Sequence, residues 1–179
     1  MDKIIDNQYF KCYYVVIIIS IKLRGYIIMF KGKVVIVGAS NVGSAVLTKL
    51  LDFQLASEIA LIDLNENKCK GEALDANDAT SCIHSLNIRT YHGDYSDCKD
   101  ADLIIITAGP SIKPGEKADR LILSKTNCKI MSSVMSEITK YTKDALILMI
   151  TNPLDVATYH VSTQFDYPRE KNHWYWYNA

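Results

Sequence analysis

Short apolar runs alternate along the chain with longer stretches in which apolar positions fall at helical spacing. Lys33, Val34, Val35, Ile36 and Val37 read as a strand, followed by a tight turn from Gly38 to Gly43 and an apolar helix to about Leu55. A second strand, Glu58 to Ile62, ends on Asp63. From Leu64 to about Ser81 the chain is polar with Ala and Leu at helical spacing, as in a surface crossover helix. A third strand is expected near Ile88 to Tyr91. Leu103 to Thr107 and Ala145 to Ile150 are apolar throughout, as parallel strands buried on both faces are. Between them, a polar loop from Ser111 to Asp119 leads into a long helix from Arg120 to about Thr142, and a last helix runs toward Thr163. Strands alternating with helices predict an α/β chain with a parallel sheet of about five strands.

The first turn carries the clearest chemistry. Gly38, Ala39, Ser40, Asn41, Val42 and Gly43 follow a strand and open a helix, so backbone N–H groups stand unpaired at a helix N-terminus, where the dipole favours phosphate. Asp63, twenty residues after Gly43, is placed to accept hydrogen bonds from both hydroxyls of an adenosine ribose. That arrangement prefers NAD, because a 2′-phosphate would meet a carboxylate. Ser40 stands where the G-x-G-x-x-G fingerprint has its second glycine. A Cβ there narrows the approach to the pyrophosphate, while the short hydroxyl can itself donate to it. An ordinary glycine turn is the alternative; the strand before, the helix after and the acid at this distance favour nucleotide binding.

Composition bounds the remaining possibilities. A chain of 179 residues with 49% hydrophobic content makes one globular domain with a real core. Twenty basic and twenty acidic residues cancel, so no nucleic-acid partner is expected. Cys12, Cys69, Cys82, Cys98 and Cys128 show no C-x-x-C pair or metal-ligand spacing, which reads as reduced thiols in a cytoplasmic protein with no metal site. Residues 1–28 are expected to lie outside the fold. Their apolar run from Tyr13 to Ile21 is broken by Lys22 and Arg24, too short for a membrane span, and Met29 is the expected natural start. A membrane-tethered nucleotide sensor built on residues 13–30 is the contrary reading.

Other positions carry two readings each. Lys68 reaches the ribose or phosphate edge of a cofactor, or is a solvated helix lysine. His92, Gly93 and Asp94 offer a histidine and an acid but read as a loop with nothing to orient the imidazole. Ala108, Gly109 and Pro110 follow a central strand at the carboxyl edge where open α/β sheets bind ligands. The Ser111 to Asp119 loop suits a movable lid, and Arg120 after it is either a guanidinium over the site or a surface arginine. Pro153 keeps Asn152 out of the helical region so that its amide can project, and Asp155 is expected to cap the following helix.

Taken together, Gly38 to Gly43, Ile62-Asp63 with Lys68, Gly93 to Tyr95, Thr107 to Gly109, Lys113 to Glu116 with Arg120, and Thr151 to Asp155 resemble the lactate/malate dehydrogenase family. The similarity runs from about residue 29 to 171 and is closest to L-lactate and L-2-hydroxyisocaproate dehydrogenases. It implies an NAD(P)-binding Rossmann domain, a doubly wound parallel sheet, with NAD as cofactor and a small 2-oxo or 2-hydroxy acid as substrate. The glycine turn with Val42 would then hold pyrophosphate, Asp63 the ribose, and Tyr95 and Gly109 the adenosine side. Ser133, Thr151 and Asn152 would hold the nicotinamide side. Arg120 resembles the lid arginine that polarises the substrate carbonyl, and Asn152 the amide that contacts the substrate hydroxyl. Ile112 takes the specificity position where malate enzymes carry arginine, which suits an uncharged side chain.

The family's second domain supplies an arginine for the substrate carboxylate and the histidine–aspartate pair that moves the proton, and full-length members are homo-oligomers. Here the chain ends in Asn-His-Trp-Tyr-Trp-Tyr-Asn-Ala after Lys171, and His173 is not expected to replace the missing acid/base. A family-like continuation, Ile-Ile-Gly-Thr-Gly-Thr-Met, encoded with one extra adenine, translates as residues 172–179. The expectation is therefore a single-base insertion that leaves a truncated dehydrogenase lacking its sixth strand. Two other readings stand beside it: a non-catalytic dinucleotide-binding fragment, and a malate dehydrogenase-like chain.

Overall fold

The computed structural model describes residues 32–81, 87–110, 120–168 and 172–174. In chain order these form β1 (Lys33–Val37), α1 (Asn41–Asp52), β2 (Glu58–Ile62), α2 (Glu66–Ser81) and β3 (Arg89–His92), then a 3₁₀ helix (Tyr95–Asp100). There follow β4 (Leu103–Ile106), α3 (Arg120–Tyr141), β5 (Leu146–Met149), α4 (Leu154–Gln164) and β6 (Asn172–Trp174). Every pairing is parallel and the sheet order is β3-β2-β1-β4-β5-β6. The order reverses between β1 and β4, and such switch points open a crevice at the carboxyl ends of the strands.

Strands β1, β2, β4 and β5 bury both faces. Val34, Ile36, Ile59, Leu61 and Ile105 pack with Val46, Leu50 and Cys69 on the side covered by α1 and α2. Val35, Val37, Ala60, Ile104 and Ile106 pack with Met131, Met135, Ile138 and Val161 on the side covered by α3 and α4. Helices on both faces explain why the strands read as unbroken apolar runs.

The doubly wound sheet and its five expected strands are present, with three differences. First, Asn172–Trp174 adds a sixth parallel strand against Ile147–Met149 of β5. The sequence reading expects no sixth strand after Lys171; the open edge of β5 offers backbone groups that a segment without an apolar signature can still pair with. Second, α1 ends at Asp52 rather than near Leu55, and Gln54, with φ of 52°, turns the chain toward β2. Third, Asp155 does not cap α4: Pro153 is the N-cap residue, no side chain caps it, and Asp155 lies in the first helical turn. Among the described residues no helix is long and apolar enough to cross a membrane. The expectations for residues 1–28, Met29, Cys12, Cys82, Lys113, Glu116 and Ile112 lie outside the described residues.

Candidate functional site

The carboxyl ends of β1, β2, β4 and β5 are stitched together by short polar contacts. Asp63, just past β2, accepts a hydrogen bond from Ala39 N at 2.7 Å through Oδ2, and from Asn65 N at 3.0 Å through Oδ1. The carboxylate therefore sits against the Gly38 turn with one lone pair of each oxygen used and the others directed elsewhere. Gly38 has φ of +107°, and a Cβ built on it would lie 2.7 Å from both Ala108 N and Thr107 Oγ1. Gly43 is closer still, since its Cβ would meet Gly38 O at 1.9 Å. Only glycine permits this approach of turn, helix and neighbouring strand.

The helix starts earlier than the sequence motif suggested. Asn41, Val42 and Gly43 already belong to the first turn of α1. Ser40 is the N-cap residue but makes no side-chain cap hydrogen bond, and no acidic residue lies in the first turn. A helix end with no side-chain cap and no acidic residue in its own first turn fits an anionic pyrophosphate. Ser40 and Asn41 are exposed and Val42 is half-buried.

Two threonine hydroxyls join the strand ends. Thr107 Oγ1 donates to Gly38 O at 2.8 Å, fastening β4 to the glycine turn. Thr151 Oγ1 donates to Ala108 O at 2.7 Å, fastening the end of β5 to β4. Asn127, buried on α3, donates through Nδ2 to the backbone oxygen of Asn152. Asn152 itself is exposed, as an amide available to a ligand must be, and Gly109 is exposed in open chain past the end of β4.

The remaining expected residues are placed as follows. Lys68 is half-buried in the first turn of α2, and its backbone N–H is held by Asn65 Oδ1 at 3.2 Å. Tyr95 is half-buried in the 3₁₀ helix and packs against the core; burial lifts its hydroxyl above the ordinary value, with smaller contributions from Cys98, Glu137 and Asp63. Ser133 is exposed on α3. Arg120 opens α3, while its side chain lies outside what is described. His92 is the last residue of β3 rather than part of the loop, while Gly93 and Asp94 follow in the loop, where Asp94 caps the 3₁₀ helix by accepting from Ser96 N at 2.7 Å. His160 Nε2 is 2.7 Å from Ser132 Oγ between α4 and α3. Among the described residues no three His, Cys, Asp or Glu side chains converge as a metal site.

Sequence reasoning missed Asn127. Its signal was available: an amide at a position in line with Met131, Val134, Met135 and Ile138, all of which are buried on α3. A polar residue in an apolar stripe needs a partner, and here the partner is the Asn152 carbonyl.

Residues 32–173 match the family described as lactate/malate dehydrogenase, NAD binding domain. The L-lactate dehydrogenase of Selenomonas ruminantium is 70% identical over 137 residues, covering 76% of this chain and 43% of that protein. The minor L-lactate dehydrogenase of Enterococcus mundtii, solved in a ligand-bound form, superposes with a TM-score of 0.71 at 36% identity, over 78% of this chain and 44% of that one. The malate dehydrogenase of Archaeoglobus fulgidus, solved in complex with NADH, superposes with a TM-score of 0.68 at 36% identity, over 78% of this chain and 47% of that one. The chain thus spans less than half the length of each of these relatives.

Proposed function

The chain belongs to the lactate/malate dehydrogenase family through its NAD-binding domain, and from that premise we propose that it is the cofactor-binding part of an NAD-dependent L-lactate dehydrogenase. The observation that carries the reading is the Asp63 carboxylate held 2.7 Å from Ala39 N, beside an uncapped helix end. A ribose diol needs acceptors and a pyrophosphate needs donors, and the two kinds of group stand side by side here.

When bound, NAD supplies the hydride acceptor. The chain's own residues orient it: Asp63 accepts from the ribose hydroxyls, the N–H groups of Asn41 and Val42 face the pyrophosphate, and Thr151 and Asn152 border the nicotinamide side. Tyr95 and Gly109 line the adenosine side. Arg120, at the head of α3, polarises the substrate carbonyl, and the Asn152 amide holds the substrate oxygen. The proton-transferring histidine and the arginine for the substrate carboxylate belong to the family's second domain, so the part of the reaction these residues carry is holding and orienting the cofactor. The substrate class is a 2-oxo acid with an uncharged side chain. The likeness to a malate dehydrogenase supports a second reading, in which the acid carries a further carboxylate.

Calorimetric titration of the 179-residue chain with NADH tests the cofactor reading; folded protein giving no heat would overturn it. Pyruvate and oxaloacetate reduction by residues 29–171 joined to the second half of the Selenomonas ruminantium enzyme tests the substrate reading. Faster reduction of oxaloacetate than of pyruvate would favour the malate alternative.

A further inference from the structure

We propose that Asn127 is a positioning residue that locks the helix carrying Arg120 to the turn carrying Asn152. The inference deepens the reading above, in which these two residues flank the reacting end of the substrate.

Asn127 lies seven residues into α3 from Arg120, about two helical turns along. It is 2% exposed. Its amide faces the backbone oxygen of Asn152. A carbonyl can only accept, so the nitrogen must be the atom turned toward it, which leaves Oδ1 on the other side. That Oδ1 is buried and meets no donor among the described residues. The Thr151 hydroxyl, just past β5, gives its proton to Ala108 O at 2.7 Å. A Cβ built on Gly109 would stand 3.6 Å from both Asn127 Oδ1 and Thr151 Cγ2, so the amide oxygen lies near Gly109, past the end of β4.

A leucine of similar volume would continue the apolar stripe of Met131, Val134 and Met135 and would remove the unpaired Oδ1, but it would leave the Asn152 carbonyl without this donor. What leucine lacks is the N–H that fixes the Asn152 carbonyl. Without that bond, the Asn152 turn keeps its hold on β4 through the Thr151 hydroxyl and loses this tie to α3. The bond therefore sets where the Asn152 amide stands relative to the helix that Arg120 opens.

The test compares the 179-residue chain with Asn127→Leu and Asn127→Met, which fill the site but carry no donor. Each is titrated with NADH, which spans both ends of the site, and with AMP, which occupies the adenosine end alone. Both variants should weaken NADH about tenfold, the factor for one lost hydrogen bond, and leave AMP within about twofold. Hydrogen exchange of the amides at 151–157 should rise in both. Unchanged NADH affinity, or an equal loss for NADH and AMP, would overturn the proposal. If the parent chain binds neither ligand, the cofactor reading fails by itself; the exchange measurement then decides, and unchanged protection at 151–157 refutes the lock.

Discussion

Asp63 accepts the backbone N–H of Ala39 at 2.7 Å, so the acid expected to read the ribose also holds the glycine turn closed. Ala39 is 2% exposed, and its N–H has no water to turn to if the carboxylate is removed. Asp63→Ala is therefore expected to lower stability by about 1–3 kcal/mol and NADH affinity by at least about tenfold. It should also narrow the preference for NADH over NADPH, because the carboxylate that repels a 2′-phosphate is gone. Asp63→Asn keeps an oxygen for Ala39 and should retain most of the stability while still losing NADH. Denaturant melts and paired titrations check both; an Asp63→Ala chain with unaltered NADH affinity would refute the ribose role.

Two glycines give opposite expectations from the same substitution. A methyl at Gly43 would lie 1.9 Å from Gly38 O, a clash with backbone that no rotamer relieves. Gly43→Ala should push α1 away from the turn, destabilise by about 1–3 kcal/mol and abolish measurable NADH binding. Gly71, in the interior of α2, has nothing within 4 Å of the same built atom. Gly71→Ala should stabilise by about 0.5–1 kcal/mol and leave NADH affinity unchanged. Thermal melts of the two variants side by side decide the matter.

What could be read in advance follows the range of the interactions. The Gly38 turn and Asp63 are joined through one βαβ unit, so strand period, helix period and glycine spacing were enough to pair them. The buried strands were legible because helices cover both faces and leave no polar alternation to confuse the count. The Thr107 and Thr151 clamps were not legible as clamps, since each donates to a carbonyl on a neighbouring strand 69 and 43 positions away in sequence. Asn127 depends on a contact 25 positions away that only the crossing of α3 over β5 creates. The sixth strand gave no signal because its pairing is a backbone event at an open edge. An aspartate before a helix is a capping residue, but Pro153 already supplies an extended entry with ψ of 123°, which leaves Asp155 two positions inside the helix. There it still favours the helix through the dipole.

The thiols should report on the two faces of the sheet. Burial, the largest cause, pushes the Cys69 thiol up to about 11, with the charges of Asp63 and Glu72 adding to it. Burial likewise pushes Cys98 up to about 12, with Asp97 adding to it. Both side chains are fully buried, whereas Cys128 is half-buried on α3. At pH 8 a thiolate-directed alkylating reagent should modify Cys128 in the folded chain and reach Cys69 and Cys98 only when the sheet opens. Peptide mass spectrometry after timed alkylation reads each site separately. Labelling of Cys69 as fast as Cys128 would mean that α2 does not stay packed on β2.

At the opposite edge of the sheet, Asp97 links three elements and sets an acid limit on stability. Its Oδ1 accepts from Lys33 Nζ at 2.6 Å and from the Tyr91 hydroxyl at 2.7 Å, and its Oδ2 from Asp94 N at 3.0 Å. Burial pushes this carboxyl up, but the bonds from Lys33, Tyr91 and Asp94 outweigh it, and the group is held below its ordinary value. An acid that is stronger when folded contributes stability above the unfolded value of about 3.9, where both states are ionised. As pH falls through that value the unfolded chain takes up its proton first, and the contribution fades until the folded carboxyl is also protonated. Melting temperature should therefore drop more steeply between about pH 5 and pH 3 in the parent chain than in Asp97→Asn, which cannot ionise. The variant should be less stable at pH 7, where Lys33 loses its partner, and the two curves should converge toward acid. Parallel curves across that range would show that Asp97 does not govern the acid transition.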